Sequence, residues 1–260
     1  MNYSIKAKSI ITTLCMILLG ALVCQGVQVV INPSLDTTLH ESEPNNNMGL
    51  YTRIYSGTDG SGNKNRALLQ FSLTSIPLES TIDSATLSLV INDGSTVTDS
   101  SFELHRMSET WIEGLGTGSS GSPALVGATT WDARLEGVIP SLPLAAWGEA
   151  GAESGTDYVA SSTSATSVSG INTYTWTSLE DDVQFWLDNP LQNFGWILIS
   201  DNEATNGSFR QFVSREDSSD VPALTVIYTA PIPEPGNYAI FISISVACIV
   251  LRLRLKVRRT

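Results

Sequence analysis

The 260-residue sequence predicts an all-β protein, an antiparallel β-sandwich with one short helix. Three observations carry that expectation. Apolar residues alternate with a period of two in several separate stretches, the pattern of half-buried strands. Gly, Asn, Asp and Ser interrupt those stretches at short intervals, as turns between short strands require. Only one stretch shows helical spacing.

Val27, Val29 and Ile31 alternate in "VQVVIN", Leu69, Phe71 and Leu73 in "LLQFSL", and Ala85, Leu87, Leu89 and Ile91 in "ATLSLVI". Tyr51, Arg53 and Tyr55 alternate in the same way. They form either a polar-aromatic strip across an open sheet or an ordinary half-buried face. "FGWILIS" is apolar on both faces and reads as a central strand. "SFRQFVS" and "ALTVIYT" follow, and Asn206-Gly207 before them signals a hairpin, because both turn positions must tolerate positive φ. In "WTSLEDDVQFWLDNP", Thr177 and Glu180 read as a capping box. Leu179, Val183, Trp186 and Leu187 make one apolar helical face, and Pro190 ends the helix. Between Gly114 and Gly170 the chain lacks a regular pattern, and "SSTSATSVSG" reads as a mobile loop.

Both ends are hydrophobic. Lys6 and Lys8 precede the apolar run Ile10 to Val23, the layout of a signal peptide cleaved after Gly26. Lipid attachment at Cys24 is the alternative, although Val23 is large for such a site. At the other end Pro233-Glu234-Pro235 precedes the apolar run Tyr238 to Leu251, and Arg252, Arg254, Lys256, Arg258 and Arg259 follow. Fourteen apolar residues rise about 21 Å as a helix, short of the roughly 30 Å hydrocarbon core. Such a segment inserts only with bilayer thinning and arginine snorkelling, its basic end cytoplasmic. The expected layout is residues 1–26 signal peptide, 27–230 sandwich domain and 231–260 C-terminal sorting segment.

Charge separates these parts. Residues 27–233 hold 25 acids against seven basic residues, a net of −18. A body this acidic repels nucleic acid and anionic lipid. Cys15, Cys24 and Cys248 all lie in or beside the hydrophobic ends, so the body has neither a disulfide nor a thiolate nucleophile. Its stability must come from burial, for which about 200 residues suffice.

Catalytic signals are absent. His40 and His105 sit in no nucleophile motif, so no enzymatic role and no catalytic residue is assigned. No cofactor is expected. No stretch matches an EF-hand loop, although "HESEPNNNMG" and "SDNEATNG" are rich in oxygen ligands. Tryptophans are natural sugar platforms, since a ring face stacks on the apolar side of a pyranose. Trp186 and Trp196 read as core, and Trp111 and Trp176 as packing. Trp131 and Trp147 lie in the irregular region and read either as platforms or as cover for the sandwich edge.

Two resemblances add to this. The tail resembles a PEP-CTERM sorting signal, with motif, apolar run and basic end in order; the mixed "RLRLKVRR" departs from a pure arginine run. The resemblance implies export, transient membrane insertion, and processing by an exosortase-type transpeptidase or protease at the surface of a Gram-negative-type bacterium. The body is similar to DNRLRE-type domains, which overlap with carbohydrate-binding module family 96. The matching stretches include "INPSLDTTLHES", "RALLQFSLTSIPLESTIDSATLSLVI", "SETWIEG", the helix region, "NFGWILIS" and "FRQFVSRED". That resemblance implies a jelly-roll sandwich and polysaccharide as partner; many jelly-roll binding modules hold a structural Ca2+, and the alternative for the oxygen-rich loops is plain solvation. The expected function is non-catalytic polysaccharide binding at the cell surface or in an exopolysaccharide matrix, with Trp131, Trp147, Tyr51, Arg53 and Tyr55 as candidate contacts. The alternative is a structural matrix or adhesion protein without glycan specificity.

Overall fold

The period-two stretches pair into two antiparallel sheets that face each other. The computed structural model describes residues 26–92, 99–139 and 142–231. The signal segment, Pro233, Glu234, Pro235 and the apolar C-terminal run lie outside the described residues. Fifteen strands, one helix and a short 3-10 turn occur among them. In order these are β1 (Val27–Ile31), β2 (Pro33–His40), β3 (Asn46–Asn47), β4 (Arg53–Thr58), β5 (Lys64–Phe71), β6 (Thr81–Ile91), β7 (Ser100–Arg106), β8 (Ser122–Pro123), β9 (Ala133–Leu135) and β10 (Ala145–Ala146). Then come β11 (Ser164–Val168), β12 (Asn172–Trp176), α1 (Glu180–Asp188), the turn Pro190–Gln192, β13 (Trp196–Ser200), β14 (Arg210–Val213) and β15 (Ala223–Thr229).

One sheet runs β1-β15-β6-β12, and the other β11-β7-β13-β5-β4-β14 with β2 paired to β5. The chain crosses between the two sheets repeatedly, although β4 and β5 pair directly within one of them, and the architecture is a jelly-roll-like sandwich. Leu69, Phe71, Ala85, Leu87, Leu89 and Ile91 point into the layer between the sheets, as their alternation requires. Helix α1 adds Val183, Trp186 and Leu187 to that core, and Leu179 just before it is fully buried. Among the described residues no helix is long and apolar enough to cross a membrane.

Strand β13 is apolar on both faces because it separates two cores. Trp196 and Leu198 enter the layer between the sheets. Ile197 and Ile199 face the other way, into a second core with Leu39, Leu68, Met107, Trp111, Trp131, Trp147 and Tyr158. The irregular excursion after β7 folds over the outer face of the larger sheet and supplies most of this second core.

Three local expectations are corrected. Thr177 does not cap the helix, which starts at Glu180 after Leu179 with no side-chain cap. Ser178 takes a left-handed φ of 60°, which drops Leu179 into the core, where its N–H meets the Ala85 carbonyl at 3.3 Å. Burial of Leu179 outweighs the capping box. The stretch "SSTSATSVSG" is not a loop, because β11 within it pairs with β7. An edge strand is held by its backbone and needs few apolar side chains; only Val168 is buried there. Finally, β13 and β14 do not form a hairpin across Asn206-Gly207. Gly207 has the expected positive φ, but its N–H and that of Phe209 donate to the Thr58 carbonyl, handing the chain to β4 instead.

Candidate functional site

Alternation along β4 and β14 decides which side chains leave the core. Ile54 and Phe212 point inward, so Arg53, Tyr55, Phe209 and Gln211 lie on the opposite face. Gln211 stands opposite Tyr55 in the ladder. Tyr55 is the hub of an edge-to-face aromatic cluster. Its ring lies 4.9 Å from Phe209, 5.8 Å from Tyr51 and 6.3 Å from His40. Tyr55 is buried, whereas Tyr51 and Phe209 are half-buried. Burial, then the neighbouring Tyr51, push the Tyr55 hydroxyl above its ordinary pKa. The backbone is held too, since the Tyr55 N–H donates to the Thr38 hydroxyl at 2.9 Å.

Arg53 closes one side of this strip. It donates to Asp217 and, at 2.9 Å, to Asn92. The Arg53 hydrogen bond holds the Asp217 carboxyl below its usual value.

A second group of charges adjoins. Carboxylate oxygens of Asp36, Glu113 and Glu216 lie within 4.8 Å of one another. Arg215 sits among them: its Nε is 2.7 Å from Glu113 and 2.9 Å from Glu216, and its backbone N–H donates to Asp36 at 2.8 Å. The link to the aromatic strip is short. Ser214 donates to the Tyr51 carbonyl at 2.7 Å and to Glu216 at 3.3 Å. Asn47 fixes the segment carrying Glu113: its amide donates to the Glu113 and Thr129 carbonyls, and its oxygen accepts from Gly49 and Gly116.

Three carboxylates around one guanidinium would carry surplus negative charge if all were ionised. Burial therefore raises Asp36 well above the usual carboxylate range, against the lowering effect of the Arg215 N–H. Burial also raises Glu216, opposed by Arg215 and assisted by Glu113. Either a proton or a cation balances the group. These three oxygens would be part of the 6–8 ligands that Ca2+ takes, but Arg215 already bridges Glu113 and Glu216. Among the described residues, the loops "HESEPNNNMG" and "SDNEATNG" contribute no member to this cluster.

Of the two readings of Tyr51, Arg53 and Tyr55, the burial fits the half-buried face: Tyr51 and Arg53 are half-buried and Tyr55 is buried, with Tyr51 just before β4. Trp131 and Trp147 are corrected. They are 6% and 5% exposed and belong to the second core. The Arg66 guanidinium lies 5.6 Å from the Trp131 ring centre, and Gly151 packs so close that an added Cβ would fall 2.6 Å from the indole. Trp147 donates its N–H to the Thr130 carbonyl. Neither ring keeps a free face, because the excursion that carries them folds inward over the sheet. All six tryptophans are less than 9% exposed. Phe209, Asp36 and Glu113 were missed by sequence, whereas Arg215 and Glu216 in "FRQFVSRE" read as a structural ion pair and form one. Phe209 lies between the Gly207 turn and the start of β14, and Asp36, Glu113 and Glu216 are scattered along the chain with no shared spacing.

Fold and site together define a β-sandwich module with a half-open aromatic face bordered by anchored charges. Residues 27–132 match the family model of carbohydrate-binding module family 96. This match supports carbohydrate binding, a non-catalytic role. No curated protein matches the chain. The matched stretch contains β1 to β8, and the strands after it complete both sheets.

Proposed function

We propose that this protein is an exported, non-catalytic polysaccharide-binding module that uses the face built by β4 and β14. The observation that carries the reading is the half-buried pair Tyr51 and Phe209 packed edge-on around Tyr55, in a chain whose residues 27–132 match a carbohydrate-binding family. Half-open rings offer a π-face to pyranose C–H bonds. Arg53, held by Asp217 and Asn92, presents fixed polar groups beside them. Arg215 serves chiefly to hold the acidic group.

The sorting reading belongs to the same proposal. Pro233-Glu234-Pro235, a short apolar run and a basic end support delivery through an exosortase-type system, with transient insertion in the inner membrane and passage to the cell surface or an exopolysaccharide matrix. Should the carboxylate group take Ca2+, the ion would brace the site rather than touch the sugar.

Affinity electrophoresis of the full chain against neutral and uronate polysaccharides, with Ca2+ and with EDTA, tests the binding. Retardation by at least one polysaccharide is expected, with dissociation constants in the micromolar to millimolar range, on the order of what one or two stacked rings supply. Tyr51→Ala combined with Phe209→Ala should weaken it about five- to hundredfold, since stacking contributes roughly 0.5–1.5 kcal/mol per ring. Full retention in the double variant removes this face as the site. No retardation in either arm favours the second reading, a structural matrix or adhesion protein. One observation speaks for that reading: Leu115, Leu125, Val126, Val138, Ile139, Leu142 and Leu144 are all more than half exposed along the excursion, as a protein contact surface would be.

A further inference from the structure

A groove of about 640 Å³ opens between helix α1 and the ends of β2 and β5. That volume lies within the range of small-molecule sites. Its apolar wall includes Leu73, Leu78, Trp186 and Pro190, and its polar members are serine, threonine, glutamine and asparagine side chains. No charged residue lines it, which is unusual for a body of net charge −18.

Two lining side chains hold a buried polar atom without a hydrogen-bond partner, the indole Nε1 of Trp186 and Oδ1 of Asn193. Trp186 is 1% exposed. The Asn193 amide nitrogen donates to the Phe71 carbonyl at 2.8 Å, and Gln70 donates to the Asn193 carbonyl. The carboxamide is thus fixed with its oxygen unused. Leaving a buried donor or acceptor unpaired is costly, so such a pair calls for an explanation.

We propose that this groove is a binding site for a neutral sugar unit, separate from the β4–β14 face and resting on the polysaccharide-binding reading given above. A hydroxyl group both accepts and donates. One or two ring hydroxyls would accept from the Trp186 N–H and donate to the Asn193 oxygen, while the apolar side of the ring meets the leucines. The uncharged lining selects a neutral sugar, because a uronate would lose its hydration with no cation to replace it. The turn segment from Ser72 to Leu78 forms the rim, and it must give way for a hydroxyl to reach the two buried atoms. The face on β4 and β14, with its arginines and carboxylates, carries no such restriction.

The test uses 15N-labelled full chain and methyl glycosides of glucose, galactose, mannose and xylose as probes. The Trp186 indole resonance is assigned by its loss in Trp186→Phe. At least one glycoside should shift that resonance saturably, with a dissociation constant on the order of millimolar. Leu78, 66% exposed on the rim, can be replaced without disturbing the core; Leu78→Glu should weaken binding at least fivefold, and Val138→Ser, at an 82% exposed position on the excursion, should leave it unchanged. No shift with any glycoside, or equal affinity in Leu78→Glu, overturns the proposal. A chain that is retarded by polysaccharide yet shows no indole shift loses the groove and keeps the function; loss of both removes the function itself.

Discussion

Asp36 shows how one buried carboxyl is governed by its setting. It lies in a strand, 1% exposed, beside Glu113, Glu216 and one guanidinium. Its folded pKa is raised above the ordinary 3.8, so the native state holds this proton more tightly than the unfolded chain does. The contribution to stability is therefore complete below 3.8 and is lost as pH rises through the higher folded value. Glu216, also raised, acts in the same direction. His40 has the opposite sign: burial lowers it from 6.5, so its contribution is present above 6.5 and is lost as pH falls through the folded value. Denaturant midpoints measured from about pH 4 to pH 8 should therefore fall less steeply for Asp36→Asn than for the parent, while the His40 effect is common to both. Asn retains an oxygen to accept the Arg215 N–H. Parallel pH profiles would mean that Asp36 is ionised throughout and that the charge is balanced in another way.

At the scale of the element, helix α1 works as a side-chain carrier for the core rather than as an independent helix. Nine residues are too few to be stable alone, and the N-terminus lacks a side-chain cap. Its stability comes from Trp186, whose ring lies 4.5 Å from Trp196, and from Asp182. The Asp182 carboxylate accepts from Trp196 Nε1 and Thr163 Oγ1, at 2.8 Å and 2.6 Å, and pairs with Arg106 at 3.0 Å. Trp186→Ala should cost about 3–5 kcal/mol in chemical denaturation, the usual range for a large core aromatic. A loss below about 1 kcal/mol would place Trp186 at the surface and contradict the packing described for the helix.

The whole molecule sets an acidic sandwich between two hydrophobic ends. Its charge of −18 keeps the body soluble and works against polyanionic ligands, an effect that salt screens beyond about 8–10 Å. The two ends bear on where the protein acts. Intact mass of the protein recovered from its native cell surface should correspond to a chain without residues 1–26 and without the run from Tyr238 to Thr260. If most molecules keep Tyr238 to Thr260, the C-terminal segment is a permanent anchor and the sorting proposal falls.

Periodicity alone determined the sandwich, the central strand "FGWILIS" and the apolar face of the helix, because burial on one face or two is written directly into the spacing of apolar residues. The alternation of Arg53 with Tyr55 was legible for the same reason, but Tyr51 precedes β4 and meets Tyr55 only through ring packing. Pairing was not. Whether β14 joins β13 or β4 depends on competing long-range ladders, and a local Asn-Gly signal cannot report them. Nor could the sequence say that Trp131 and Trp147 turn inward, since the excursion has no period and its burial is created by the outer face of a sheet built from distant strands. The acidic group is likewise a product of tertiary structure. Asp36, Glu113 and Glu216 meet only because a strand, an Asn47-pinned segment and the turn after β14 converge on Arg215, and no spacing along the chain encodes that meeting.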